Sequence, residues 1–146
     1  MPEARRRSLR ILVVDDDDAD AVMIDEALAA AASTATVHRV ADGEQALRYL
    51  RYSADYPHAV RPDLILLDLN MPRMDGRATL TEIKSDDALK AIPVVILTTS
   101  AAEADVTSSY QHRANAYVTK PMDLDDFEAV VRQIDQFYGQ TAVLPD

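Results

Sequence analysis

The chain has 146 residues, 25 acidic side chains against 15 basic ones, a formal net charge of −10 and no cysteine. That length carries one domain with a full hydrophobic core. Disulfides and thiolate zinc sites are excluded, no apolar run is long enough to span a bilayer, and the acidic balance argues against a nucleic-acid surface while suiting cations or basic partners. Arg5 to Arg7 are basic, but the apolar stretch after them, Ile11 to Val14, runs straight into four aspartates, unlike a secretion signal. The expectation is a cytoplasmic protein whose residues 1–8 form a frayed arm.

Arg10 to Asp15 reads as a strand through Ile11, Leu12, Val13 and Val14. Ala19 to Ala32 is alanine-rich with Ile24, Ala27 and Leu28 at helical spacing, so it predicts an amphipathic helix. Asp17 or Asp18 is suited to cap it, where a negative charge also favours the helix dipole. Thr36 to Val40 is a short β-branched strand, Asp42-Gly43 a turn, and Ala46, Leu47 and Leu50 share one face of a second helix. From Tyr52 to Pro62 the periodicity is lost and a long loop is expected.

Leu64 to Leu67 is a continuous aliphatic run, the pattern of a strand buried on both faces. Asp68 ends it, and a carboxylate there must be paired, metal-bound or functional, because desolvating a lone charge costs too much. A simple turn cap is the bland alternative. Asn70, Pro72, Asp75 and Gly76 make a turn-rich loop, with Gly76 suited to a left-handed or close-packed position. Leu80 and Ile83 mark a helix that stops near Ser85, and Pro93 introduces a strand over Val94 to Thr98. Ala102 to His112 has poor helix propensity and a weak apolar face, so a loosely held helix is expected. Tyr117 and Val118 form a short strand ending at Lys120-Pro121. Leu124, Phe127, Val131, Ile134 and Tyr138 define the last helix, with Gly139 as its stop and 140–146 as a tail.

Strands alternating with helices imply an α/β fold: a doubly wound, five-stranded parallel sheet with five helices and right-handed crossovers. Strand carboxyl ends then share one edge, where such sheets bind ligands. Asp15 and Asp16, Asp68, Thr98 and Lys120 all fall there. If strands one and three are neighbours, three carboxylates converge, and mutual repulsion calls for a cation. Magnesium fits best, being a hard ion that takes oxygen ligands; no EF-hand pattern supports calcium. Lys120 supplies a compact positive charge for a phosphoryl oxygen and Thr98 a hydroxyl donor. Taken singly, each is a weak signal: Lys-Pro is an ordinary loop dipeptide, and a threonine closing a strand is more often structural than catalytic.

Together, Ile11-Leu12-Val13-Val14-Asp15-Asp16, Leu67-Asp68-Leu69-Asn70-Met71-Pro72, Asp75-Gly76, Thr98 and Lys120-Pro121 resemble the receiver domains of two-component response regulators over nearly the whole of 9–139. The resemblance implies the flavodoxin-like strand order 2-1-3-4-5 and a phosphoryl group accepted on Asp68 from a kinase phosphohistidine. It implies magnesium held by Asp16, Asp68 and the backbone carbonyl of Asn70, with Asp15 assisting directly or through water. Thr98 and Lys120 would contact the phosphoryl oxygens, and Tyr117 matches the aromatic switch position, although it also reads as a core aromatic. Thr99 and Ser100 lie where the family varies access to the phosphoryl group. The Tyr52–Pro62 stretch, the Leu97 to Ser100 run and the tail are similar to stand-alone regulators paired with bacterial phytochrome histidine kinases. Such a kinase is therefore the expected partner, with output by protein–protein contact or onward phosphotransfer.

Two rival classes share parts of this pattern. A flavodoxin-like redox protein lacks support because four aspartates follow strand one where a cofactor phosphate would sit. A haloacid-dehalogenase-like phosphatase would need a second aspartate where Asn70 stands. The expectation is a phospho-acceptor rather than an enzyme. The surplus of apolar residues on the last helix, Val130 and Phe137 included, and Val143 with Leu144 in the tail further suggest a homodimer.

Overall fold

The computed structural model describes residues 8–145. All but the last residue of the expected N-terminal arm lie outside that range. The elements run β1 (Arg10–Val14), α1 (Asp18–Ala30), β2 (Thr36–Val40), α2 (Gly43–Leu50), β3 (Leu64–Leu67), α3 (Gly76–Ser85), β4 (Val94–Thr98), α4 (Glu103–Gln111), β5 (Ala116–Thr119) and α5 (Leu124–Gln136), followed by a π-helical turn at Phe137–Thr141. The sheet order is β2-β1-β3-β4-β5, every pair parallel. The α/β class, five parallel strands and five helices are as the alternation of periods implied, and the order is the one carried by the resemblance.

The aliphatic strands are buried on both sides, and strand pleating sorts their residues. Leu12, Val14, Ile65, Leu67, Val94 and Ile96 face one layer with Leu47 and Leu50 of α2 and Leu80 and Ile83 of α3. Ile11, Val13, Leu64, Leu66, Val95 and Leu97 face the other with Ile24, Ala27 and Leu28 of α1 and Phe127 and Val131 of α5. Burying each such side chain contributes roughly 1.5–3 kcal/mol against leaving it in water. α4 buries only Ser109 and has no side-chain N-cap, whereas Asp17, Asp42, Asp75 and Asp123 cap α1, α2, α3 and α5. The scant burial of α4 follows from its poor apolar face. Among the described residues no helix is long and apolar enough to cross a membrane.

Two local expectations are corrected. α1 ends at Ala30 rather than Ala32, because Ala32 adopts φ 53° and Ser33 N–H turns back to Leu28 O; this is a helix-ending conformation that glycine usually supplies. Gly139 does not stop the last helix. It sits inside the π-helical turn, and a Cβ there would make only ordinary contacts with Asp135 and Leu9. In the tail, Leu144 packs on the α1/α5 side of its own core while Val143 is exposed. The Tyr52–Pro62 loop, expected to be long and irregular, is tied down: Val60 N–H donates to Tyr49 Oη, and the rings of His38, Tyr49 and Tyr56 pack together.

Candidate functional site

Hydrogen bonding continues past the strand ends and carries the polar residues to one edge. Asp15 N–H donates to Val40 O, Asp68 N–H to Val14 O and Lys120 N–H to Thr98 O. Each residue following β1, β3 and β5 is thereby pinned against the neighbouring strand. Asp15, Asp68, Thr98 and Lys120 are all buried, and Asp16 is exposed. Arg39 on β2 holds the acidic turn after β1 from outside, donating through Nε to Asp15 O and through a terminal nitrogen to Asp18.

Lys120 is the hub. Its ammonium donates to Asp15 Oδ2 at 2.9 Å, Asp68 Oδ2 at 3.1 Å and Asp20 Oδ2 at 2.6 Å, which accounts for all three of its N–H groups. Burial alone would lower its pKa; the bonds to Asp20 and Asp15 and the charges of Asp15 and Asp68 outweigh that and hold it above the ordinary lysine range. The other oxygens of the pair are held by backbone. Asp17 N–H donates to Asp15 Oδ1 at 2.9 Å, and Asn70 N–H to Asp68 Oδ1 at 3.3 Å.

Asp15, Asp16 and Asp68 each place a carboxylate oxygen within 4.8 Å of the others, so the three can share one cation. The donor set is all oxygen, as a hard divalent ion requires. Burial pushes the Asp15 carboxyl up to about 6, against the lowering effect of Lys120 and the Asp17 N–H. Between the ordinary value of 3.8 and about 6 the native protein keeps a proton that the unfolded chain has released. Without metal, stability should therefore fall as pH rises through that window. Asp15→Asn should flatten the slope and stabilise the metal-free protein at pH 7 by roughly 2–3 kcal/mol, at about 1.4 kcal/mol per pKa unit. Chemical denaturation in chelator between pH 4 and 7 reads this out; a slope unchanged by the substitution would refute it.

Of the expected site residues, Asp15, Asp16, Asp68 and Lys120 come together at this edge. Thr98 Oγ1, at the end of β4, is buried with no hydrogen-bond partner among the described residues. Asn70 is exposed beyond Asp68. Tyr117 packs against the α2/α3 side of the core, while its hydroxyl donates to Ser100 O at 2.8 Å. Sequence reasoning missed Asp20, which the run Asp15-Asp16-Asp17-Asp18-Ala19-Asp20 offered as a further acid beyond those a metal and a cap require. It also missed Arg77 of α3, which donates to Asp105 of α4 at 2.9 Å, and the 2.6 Å bond from Ser100 Oγ to the same carboxylate.

The sequence profile of the response regulator receiver domain matches residues 11–132. Response regulator Rcp1 of Synechocystis sp. is 42% identical over 135 residues, 92% of either chain. Among solved structures, the phosphorylated cyanobacterial phytochrome response regulator RcpA superposes with a TM-score of 0.91 at 46% identity, covering 96% of this chain and 100% of that one. The Mn(2+)-bound form of Rcp1 gives 0.89 at 41% identity, covering 94% and 99%. Family profile, relatives and strand order agree: the chain belongs to the response regulator receiver domain family.

Proposed function

We propose that Asp68 is the residue that takes the phosphoryl group in this response regulator, in a magnesium-dependent reaction. The observation that carries the assignment is its buried position at the end of β3, one oxygen 3.1 Å from Lys120 Nζ and within the carboxylate trio. A carboxylate oxygen is itself the attacking group, so no general base is needed. A carboxylate oxygen attacks phosphorus, the bond to the donor's leaving group breaks in line, and an acyl phosphate results. Lys120 compensates charge on the equatorial oxygens, and Thr98 Oγ1 gains in the phosphoryl oxygens the partner it lacks. Asp15, Asp16, Asp68 and the Asn70 carbonyl would hold magnesium, which when bound neutralises the acidic cluster and the incoming charge. The relative Rcp1 crystallised with Mn2+ supports a divalent ion at this edge. Intact-mass measurement after incubation with magnesium and acetyl phosphate tests the reading: one added phosphoryl group is expected, and none would overturn it.

Phosphorylation adds negative charge and acceptors next to Thr98. A Thr98 drawn toward them opens space for Tyr117, whose Ser100 bond links β5 to the segment before α4, the helix with least buried surface. The segment is thus the two-state element of the switch. The phosphoryl donor is a sensor histidine kinase, and similarity to phytochrome response regulators favours a bacterial phytochrome acting in the cytoplasm. Output is by protein contact or onward transfer, and slow hydrolysis of the acyl phosphate, catalysed by the protein itself, resets it. The receiver unit spans 9–139, with the tail lying on it through Leu144.

A homodimer through the α4, β5 and α5 face completes this reading. Supporting it are apolar side chains left without cover on and around α5, with Leu124 and Phe137 about half exposed and Met122 and Val143 more so. The expected result in light scattering is a dimer for the full chain, and a monomer only for a chain ending at Gly139 would make the tail its clasp. A full chain that stays monomeric at micromolar concentration, phosphorylated or not, refutes the dimer.

A further inference from the structure

The shortest contact of the Lys120 ammonium is made by neither Asp15 nor Asp68. It is the 2.6 Å bond to Asp20 Oδ2, from the first turn of α1. Asp20 is held there by its own backbone, because Asp17, the cap of α1, accepts from both Ala19 N–H and Asp20 N–H. Its side chain is only 14% exposed although it stands on a helix surface. Burying a carboxylate so far is costly unless a charge partner compensates, and Lys120 is that partner. Asp20 is also outside the carboxylate trio that can share a cation, so its influence on the site runs through the lysine.

We propose that Asp20 is a positioning residue for phosphoryl transfer: it anchors the Lys120 ammonium so that one N–H stays aimed at the Asp68 oxygen. The inference rests on the phospho-acceptor reading of Asp68 and Lys120. A lysine side chain is a flexible four-carbon stem with a freely turning head, and a single acceptor leaves that head undirected. Three acceptors define its orientation fully. When Asp68 Oδ2 becomes part of an acyl phosphate it loses its charge, and the N–H that faced it is released to a phosphoryl oxygen. Asp15 and Asp20 keep the nitrogen in place meanwhile. Without Asp20 the ammonium can swing toward Asp15 or solvent, and a misplacement of about 1 Å at a reacting centre costs on the order of a hundredfold in rate at its worst.

The test follows the rate of labelling by acetyl phosphate, by intact mass, in full-length protein. Asp20→Ala should label about tenfold more slowly than the natural chain, within the range for a disturbed positioning contact. Its magnesium affinity should change by less than about threefold, since Asp20 acts through another residue. Asp20→Asn, which keeps an acceptor oxygen at the same reach, should recover part of the rate and serves if the alanine variant folds poorly. Combined with Lys120→Ala, either substitution should cause no further slowing. A natural rate in both Asp20 variants overturns the anchoring role while leaving Asp68 as acceptor untouched, as does an equal fold-loss with and without Lys120. Absence of labelling in the unsubstituted protein overturns both readings.

Discussion

Asp68→Asn should abolish phosphorylation, with labelling reduced at least about a thousandfold, the scale on which removing a nucleophile acts. The amide conserves the volume of the side chain at the end of β3 and removes the attacking oxygen. With its carbonyl oxygen where Oδ1 accepts from Asn70 N–H, the new NH2 group faces the Lys120 ammonium, donor against donor. Lys120 keeps Asp15 and Asp20 as acceptors, and the cluster carries one negative charge fewer, so the fold should persist with stability within about 1 kcal/mol of the natural chain. Intact mass reads the first outcome and far-UV circular dichroism with urea unfolding the second. Undiminished labelling of a folded Asp68→Asn protein would remove Asp68 as acceptor.

The second large effect is structural and arises beside the same residue. Gly76 opens α3, and a Cβ there would lie 2.0 Å from Asp68 O, 2.7 Å from Leu69 Cα and 2.8 Å from Asp68 C. All three are backbone atoms of the strand end that carries the acceptor, so no side chain can turn aside to make room. Gly76 N–H also donates to Leu69 O at 2.9 Å, which holds the helix start to that backbone. Gly76→Ala must separate the two, at a cost of about 3 kcal/mol, the upper part of the range for overpacking a close contact. In a domain whose total stability is roughly 5–15 kcal/mol this is a large share. The displaced Asp68 should also label about a hundredfold more slowly in the folded fraction. Urea unfolding and labelling rate together check it, and a midpoint equal to that of the natural chain would contradict the close approach.

Gly76 also shows how far a local reading reaches. Its place in a turn-rich loop before a helix announces a backbone that excludes a side chain, and leaves a left-handed conformation and a close approach equally open. No glycine among the described residues has positive φ, so the reason is the approach to Asp68. Left-handed backbone occurs instead at Ala32, Tyr52, Arg73 and Arg113, where composition offers no signal. The acidic turn behaves similarly. Strand periodicity identifies Asp15 as the first residue past β1, but the burial that raises its pKa, and the Lys120 ammonium that opposes the rise, are settled only by the packing around the sheet edge.

Local pattern alone determined the five strands and five helices of this protein. A strand buried on both faces must be continuously apolar, a helix on one face must repeat near 3.6 residues, and both are properties of short stretches of chain. The motif residues Asp15, Asp16, Asp68, Thr98 and Lys120 were legible for a related reason, since each stands at the end of such a strand. The resemblance to a known family supplied the strand order. Tertiary structure alone decided that Asp20 completes the lysine's coordination, that Arg77 and Asp105 join α3 to α4, that Tyr117 bonds to Ser100, and that Leu144 folds back onto its own core. Lys120 meets Asp20 and Asp15 across 100 and 105 residues of sequence. Contacts of that span depend on how the helices pack over the sheet, because a side chain's local spacing constrains its direction from the backbone and not the partner waiting there.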